Sequence, residues 1–180
     1  MLESEFKDKI LPRLAPHFII QEEVSGVVNL NGYTHRVRID ALLYPKDKTG
    51  WKNPDVVLGL EFKEPDLHIG KLTNALDQIE WYTLADFNGL KHFPVFVCPP
   101  FKQVIRRYFA TEQNAKEAHF IFSRMLGKKL IGELRNTARF GLTFYLNGDH
   151  EVWSEEHGVM HEGKRNMLIR KIGSGKHITL

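Results

Sequence analysis

The sequence predicts a single α/β or α+β domain, and three observations carry that expectation. The hydrophobic spacing alternates between helical and strand periods in the order α-β-β-β-α-β-α, after which a β-rich segment closes the chain. At 180 residues with 42% apolar and 26% charged content, the chain has the length of one ordinary domain with a sizeable core. No internal repeat, low-complexity tract or Pro/Gly/Ser-rich linker divides it. One domain over residues 1–180 is therefore expected, with a core over about 3–126 and an accessory segment over about 127–180.

Leu2, Phe6, Ile10 and Leu14 recur at helical spacing with Ser4 near the start, which predicts a helix from Glu3 to Ala15 that stops at Pro16. The run "HFIIQEEVSGVVNLNGYTHRVRIDALLYP" reads as strands, with Asn31-Gly32 as the hairpin turn. A polar stretch, "KDKTGWKNPD", leads into the strand "VVLGLEFK". From Gly70 to Phe87 the pattern is helical, with Leu72, Leu76, Ile79 and Thr83 on one stripe. "FPVFVCPP" reads as a short buried strand, and a helical region containing Ile105, Phe109, Ile121, Phe122 and Met125 follows. Beyond Gly127, "GLTFYLNGDHEVW" reads as a second hairpin around Asn147-Gly148.

Composition narrows the function classes only slightly. A net charge of +3 permits a polyanionic partner without requiring one. Cys98 stands alone in an apolar run, so no internal disulfide forms, and a buried inert thiol in a reducing compartment is expected. The stretch "MLESEFKDKI" lacks the basic and apolar regions of a secretory signal, and no apolar run is long enough to span a bilayer. A cytoplasmic protein with no membrane partner is the expectation.

Two charged patterns sit where strands would favour apolar residues: "RID" at Arg38-Ile39-Asp40 and "EFK" at Glu61-Phe62-Lys63. Alternation puts Glu61 and Lys63 on one face of their strand, roughly 6 to 7 Å apart, with Leu60 and Phe62 on the other. If the two strands are antiparallel neighbours, symmetric closure of the intervening loop sets Asp40 opposite Glu61, with Cβ atoms about 4.5 to 5.5 Å apart. Two carboxylates so close repel unless a cation lies between them, and a divalent ion with oxygen preference would answer that need.

This pattern resembles the active-site signature of the PD-(D/E)xK nuclease superfamily, whose restriction-endonuclease-like core has the order α-β-β-β-α-β read above for residues 3 to about 98, so the resemblance implies an α/β fold with a mixed central sheet and a C-terminal β-rich extension. The resemblance implies Asp40 and Glu61 as metal ligands, the carbonyl of Phe62 as a third, and Lys63 as the water-activating residue. It also implies Mg²⁺ as the ion, with Mn²⁺ as a substitute, and metal-activated hydrolysis of DNA phosphodiesters. The literal Pro54-Asp55 is a poorer first carboxylate, because six extended residues would separate it from Glu61 by about 20 Å. Members of the superfamily carry a first-helix glutamate facing the metal, and Glu3, on the stripe with Phe6, Ile10 and Leu14, is the matching residue here.

A second pattern, Gln78-x-x-x-Tyr82, resembles the extra motif of RecB-type exonuclease members. Residues four apart share a helix face, so Gln78 and Tyr82 project together, joined by Ala75 one turn and Lys71 two turns before Gln78. Their expected role is nucleic-acid binding, either by gripping phosphate or by stacking on a base.

Several other residues invite sharper readings than their patterns support. His150, His157 and His161 lack a cysteine partner and an HExxH spacing, so zinc is not expected. His68 follows the "EFK" strand and reads as an exposed loop residue. Arg106-Arg107, Lys128-Lys129, Arg135 and Arg139 are candidates to track a nucleic-acid backbone. Trp51, Trp81 and Trp153 are too scattered to define a stacking platform. RNA is a second substrate class that the motifs do not separate from DNA, and the small size is compatible with a homodimer. The main rival is a catalytically inactive nuclease-fold protein serving as a nucleic-acid-binding or protein-interaction module.

Overall fold

The computed structural model describes residues 3–160 apart from 65–67 and 149. The elements run α1 (Glu3–Leu14), β1 (Phe18–Leu30), β2 (Tyr33–Pro45), β3 (Leu58–Phe62), α2 (Ile69–Leu84), β4 (Val95–Cys98), α3 (Lys102–Arg106), α4 (Glu112–Gly127), β5 (Ile131–Thr137), β6 (Gly141–Leu146), β7 (His150–Ser154) and β8 (Gly158–Val159). All eight strands join one sheet in sequence order. The β3–β4 and β4–β5 pairs are parallel and the remaining pairs antiparallel. The two parallel joins are the ones bridged by helices, as a parallel crossover requires. The protein is thus an α/β structure with a mixed sheet.

Two apolar clusters lie on the two faces of this sheet. On one, Ile10, Leu11 and Leu14 of α1 pack with Leu58, Leu60 and Phe62 of β3 and with Phe96 and Cys98 of β4. On the other, Leu72, Ile79 and Tyr82 of α2 pack with Val95 and Val97, joined by Val104, Ile105 and Leu126. Period-2 alternation therefore sends Glu61 toward the α2 face, because its neighbours Leu60 and Phe62 belong to the α1 face.

The hairpin expected at Asn31-Gly32 forms there, with φ of 49° and 82°, the backbone that a two-residue turn of this hand requires. Partway along it, Glu23 adopts φ 54° and the pairing passes over Glu23 and Asp40 without changing register. The ribbon rolls at that point. Ala41 and Leu43 face the α1 cluster, whereas Ile39 and Val37, of the same parity, face the α2 cluster. Asp40 stands at the corner.

Element ends differ from the sequence reading for identifiable reasons. The helix expected to reach Phe87 stops at Leu84, because Asp86 exchanges two backbone hydrogen bonds with Val27 and draws the chain into a bridge. The single helical region after Pro100 is two helices, the second started by Thr111, whose hydroxyl accepts from the Asn114 N–H at 3.2 Å. On α4 the buried face is Ala115, His119, Ser123 and Leu126, while Ile121 and Met125 are exposed. The hairpin at Asn147-Gly148 joins β6 to β7, and the strands beyond residue 126 extend the same sheet. Of the N-terminal stripe Leu2, Phe6, Ile10 and Leu14, Leu2 lies outside the described residues, and Trp51, set in a polar connection, is buried with the α1 cluster.

Candidate functional site

The β2–β3 register pairs Ala41 with Leu60 and Leu42 with Gly59, and its continuation by one residue sets Asp40 across from Glu61. The side chain of Asp40 crosses to the neighbouring strand, where its Oδ2 accepts the Phe62 N–H at 2.7 Å. Glu61 is 2% exposed. Its Oε1 accepts from the Lys63 Nζ at 2.6 Å, but its Oε2 is buried with no hydrogen-bond partner. Burial, reinforced by the Asp40 charge and only partly offset by Lys63, pushes the Glu61 carboxyl up to about 7.

Lys63 also donates to the Gln78 Oε1 at 2.9 Å. The Gln78 amide in turn donates to the Tyr82 hydroxyl at 2.5 Å, and that hydroxyl donates to the Arg38 carbonyl at 2.8 Å. A continuous chain of hydrogen bonds thus runs from Glu61 through α2 to the backbone two residues before Asp40. Tyr82 is fully buried in the α2 cluster, so its ring has no face on which a base can stack. That corrects one of the two roles expected of it. Burial and the Glu61 charge hold its phenol above the ordinary range, which keeps it a neutral donor.

Glu3 approaches from α1. Its carboxyl is raised by burial, held back by Lys63, and raised further by Asp40, Glu64 and Glu23, which places it within the field of the same cluster. Lys71 pairs with Glu64 at 2.7 Å on the exposed side. Glu23, opposite Asp40 across β1, is held by Lys7 at 2.9 Å and by Arg38 at 2.9 Å. The sequence reading did not single out Glu23, since nothing in a strand pattern announces a left-handed residue.

Across β4 on the same face lies a second buried acid. Glu61 pairs with Val97 and Val97 with Glu133, so the two glutamates sit roughly 10 Å apart with one strand between them. Glu133 is saturated. It accepts from the Phe101 N–H at 3.1 Å, lies 2.9 Å from the His119 Nε2, and takes two hydrogen bonds from the Arg135 guanidinium at 3.0 and 2.9 Å. Burial raises its carboxyl, but His119 and Arg135 outweigh that and hold it below the usual range. Arg135 is therefore a structural partner, stacked 4.3 Å over the Tyr145 ring, rather than a residue that tracks a nucleic-acid backbone. "GELR" carries the same charge-two-apart signal as "EFK", and that signal would have found it. Ser123 and Glu133 both meet His119 at Nε2, so the three do not form a relay through the two ring nitrogens.

The other expected cations are dispersed. Arg106 pairs with Glu112, Lys129 with Glu80, and Arg139 lies over Phe140. His68 occupies the N-cap position of α2 without a side-chain cap bond. His150 meets the Asn147 carbonyl, His157 packs edge-on to Phe140, and His161 lies outside the described residues. The Cys98 thiol is buried, and burial raises its pKa. Among the described residues no helix is long and apolar enough to cross a membrane.

The donor set suits a hard cation. Among the described residues no three His, Cys, Asp or Glu side chains converge as a ready cage. Mg²⁺ binds through one or two carboxylates and keeps several waters, so Asp40, Glu61 and the Phe62 carbonyl match its needs better than those of zinc. The partnerless Glu61 Oε2 is the atom such an ion would satisfy. No protein-family model matches the chain, and comparisons with curated proteins and with solved structures find no significant match.

Proposed function

We propose that this protein is a Mg²⁺-dependent nuclease of the PD-(D/E)xK type that hydrolyses DNA phosphodiester bonds. The observation that carries the proposal is the contrast between the two buried glutamates. Glu133 has every oxygen partnered, whereas Glu61, on the same face, keeps one buried oxygen without a partner beside a second carboxylate. A purely structural acid at that depth is expected to be satisfied as Glu133 is. The order α1-β1-β2-β3-α2-β4, with β3 and β4 parallel, supports a restriction-endonuclease-like core.

Asp40 and Glu61 hold the metal in this reading, with the Phe62 carbonyl as a further oxygen. A bound Mg²⁺ supplies Lewis-acid stabilisation of the phosphate and lowers the pKa of a coordinated water. Lys63 places its ammonium where charge develops on attack, and Gln78 fixes that ammonium by accepting a hydrogen bond from it. Glu3 adds a carboxylate at the rim. Purified protein incubated with linear, circular, single-stranded and branched DNA should cleave at least one of these only when Mg²⁺ or Mn²⁺ is present. Lys63→Ala and Asp40→Ala should lower cleavage by a factor of at least about 10², the scale of a lost transition-state contact, with the fold retained. Full activity in either variant removes the site assignment.

The rival reading is a nuclease-fold module that binds without cutting. It is favoured by the Lys63–Glu61 ion pair, which already neutralises one carboxylate. Mn²⁺ separates the two, since a ligand that binds only the native state raises Tm with its concentration. A Tm that ignores Mn²⁺, or that shifts equally in Asp40→Asn, favours the module.

A further inference from the structure

Beside the acidic pair, β2 and α2 enclose an open groove of about 390 Å³ lined by His35, Arg36, Val37, Arg38, Asp77, Gln78, Trp81 and Tyr82. It is continuous with the site, because Gln78, Tyr82 and the Arg38 carbonyl belong to the hydrogen-bonded chain that ends at Glu61. Trp81 is half-buried and its ring lies 5.0 Å from that of His35, tilted by 39°. It also lines a second groove of about 410 Å³ with Leu30, Asp77, Glu80 and Leu84, so it stands as a ridge between two open troughs. Arg36 and Arg38 lie on the β2 wall, Arg38 with its guanidinium held by Glu23 at 2.9 Å and its carbonyl by Tyr82, and an acid, Asp77, lies on the helix wall.

We infer that this groove binds the single-stranded portion of a nucleic-acid substrate, with a base against the Trp81–His35 pair and the sugar-phosphate backbone along the β2 wall at Arg36. The inference rests on the nuclease reading above and names the form of its substrate. Size favours one strand: the trough has the volume of a site for one small ligand, which a duplex does not enter. Charge sets the direction, since Asp77 repels phosphate from the helix wall and Arg36 attracts it to the strand wall. Stacking accepts any base, so the groove confers strand form and not sequence. A strand seated there is carried toward Asp40, which lies four residues, roughly 13 Å, beyond Arg36 along β2. The isolated sequence hides this platform, because Trp81 and His35 are far apart in the chain and meet only when α2 packs on the hairpin.

The test uses a short fluorescein-labelled oligothymidylate, the matching oligouridylate and a blunt duplex, with binding followed by anisotropy in Ca²⁺ and stacking by quenching of tryptophan emission. The wild type should bind the single strands more tightly than the duplex, with quenching. Trp81→Ala should weaken single-strand binding roughly 5- to 150-fold, the range for one lost base stack, and Trp81→Phe should retain most of it. Arg36→Ala should reduce the slope of log affinity against log salt by about 0.7. In every variant the Mn²⁺-induced rise in Tm and cleavage of bis(p-nitrophenyl) phosphate should match the wild type. Unchanged single-strand affinity in Trp81→Ala, or equal affinity for duplex, overturns the groove assignment while an intact Mn²⁺ shift leaves the nuclease reading standing. A wild type that binds single strands but shows no Mn²⁺ shift overturns the nuclease reading and leaves the groove to the rival binding module. Should Trp81→Ala fail to fold, Trp81→Phe and Arg36→Ala, with quenching in the wild type, decide the matter. A preference between the two oligonucleotides identifies the sugar.

Discussion

A carboxylate at 2% exposure with one unpartnered oxygen makes the folded state less favourable whenever it is ionised. For Glu61 the native pKa is raised from 4.5 to about 7. Below pH 4.5 the residue is protonated in both folded and unfolded chains and costs nothing. As pH rises through about 7 the native state must release its proton too, and the stability that protonation conferred is lost. Metal-free protein should therefore show a falling Tm across this interval, readable by calorimetry. Glu61→Gln should flatten that slope, and Mg²⁺ should restore stability increasingly as the carboxylate ionises. A metal-free Tm that rises over the same interval, or a Glu61→Gln variant with the wild-type slope, contradicts the assignment.

Elements decide where that residue can stand. Strand β3 is short and buried on both sides, and its alternation alone sends Glu61 to the α2 face. The roll of the hairpin at Glu23 then turns Asp40 to meet it, and α2 supplies Gln78 one turn before Tyr82 to fix Lys63. On the far side of β4 the strands approach so closely that only glycine fits. A Cβ on Gly132 would lie 2.4 Å from the Tyr145 carbonyl oxygen and 2.6 Å from the Phe96 ring. Gly132→Ala should cost about 2 to 3 kcal/mol, the upper range for overpacking, because a backbone atom cannot give way as a side-chain tip can. Urea unfolding measures it: the midpoint should drop with the slope unchanged. A midpoint within experimental scatter of the wild type would mean that β5 and β6 can part.

At the scale of the whole molecule, the Glu133 cluster ties together parts that are distant in sequence. It joins Phe101 before α3, His119 on α4 and Arg135 on β5, and Arg135 donates onward to the Gly148 carbonyl in the β6–β7 turn at 3.2 Å. Removing the acid takes the carboxylate away from the part-buried Arg135 and from the buried His119 at once, so Glu133→Ala should destabilise by about 3 to 5 kcal/mol. Because its folded pKa lies below 4.5, this contribution is present above that pH and is lost as pH falls through the lower folded value. Wild-type acid unfolding should thus have a component missing from Glu133→Gln. Coincident acid limbs in the two proteins would assign the acid transition to other carboxylates.

Much of the fold was legible because it is written in local periodicity. The first helix, the Asn31-Gly32 and Asn147-Gly148 hairpins and the buried strand before Pro99 follow from spacing and turn chemistry. The opposition of Asp40 and Glu61 followed from loop symmetry. Less legible were the break between α3 and α4, which depends on one threonine cap, and the early end of α2, which depends on a bridge to Val27, about sixty residues earlier in the chain. Glu23 and the Trp81–His35 pair were missed because each acts only through contacts between elements, whereas for Glu133 the "GELR" spacing did carry a signal and only its partners from α4 were hidden.

What the sequence determined by itself is the order of elements and the residue types placed on β2, β3 and α2, since these depend on the period of the chain and on nearest neighbours. Only the tertiary structure decided which buried acid is satisfied and which is not. Both Glu61 and Glu133 stand in apolar strands with a cation two residues on, and a local pattern treats them alike. Their difference arises because α4 brings His119 to one of them, whereas nothing among the described residues completes the other.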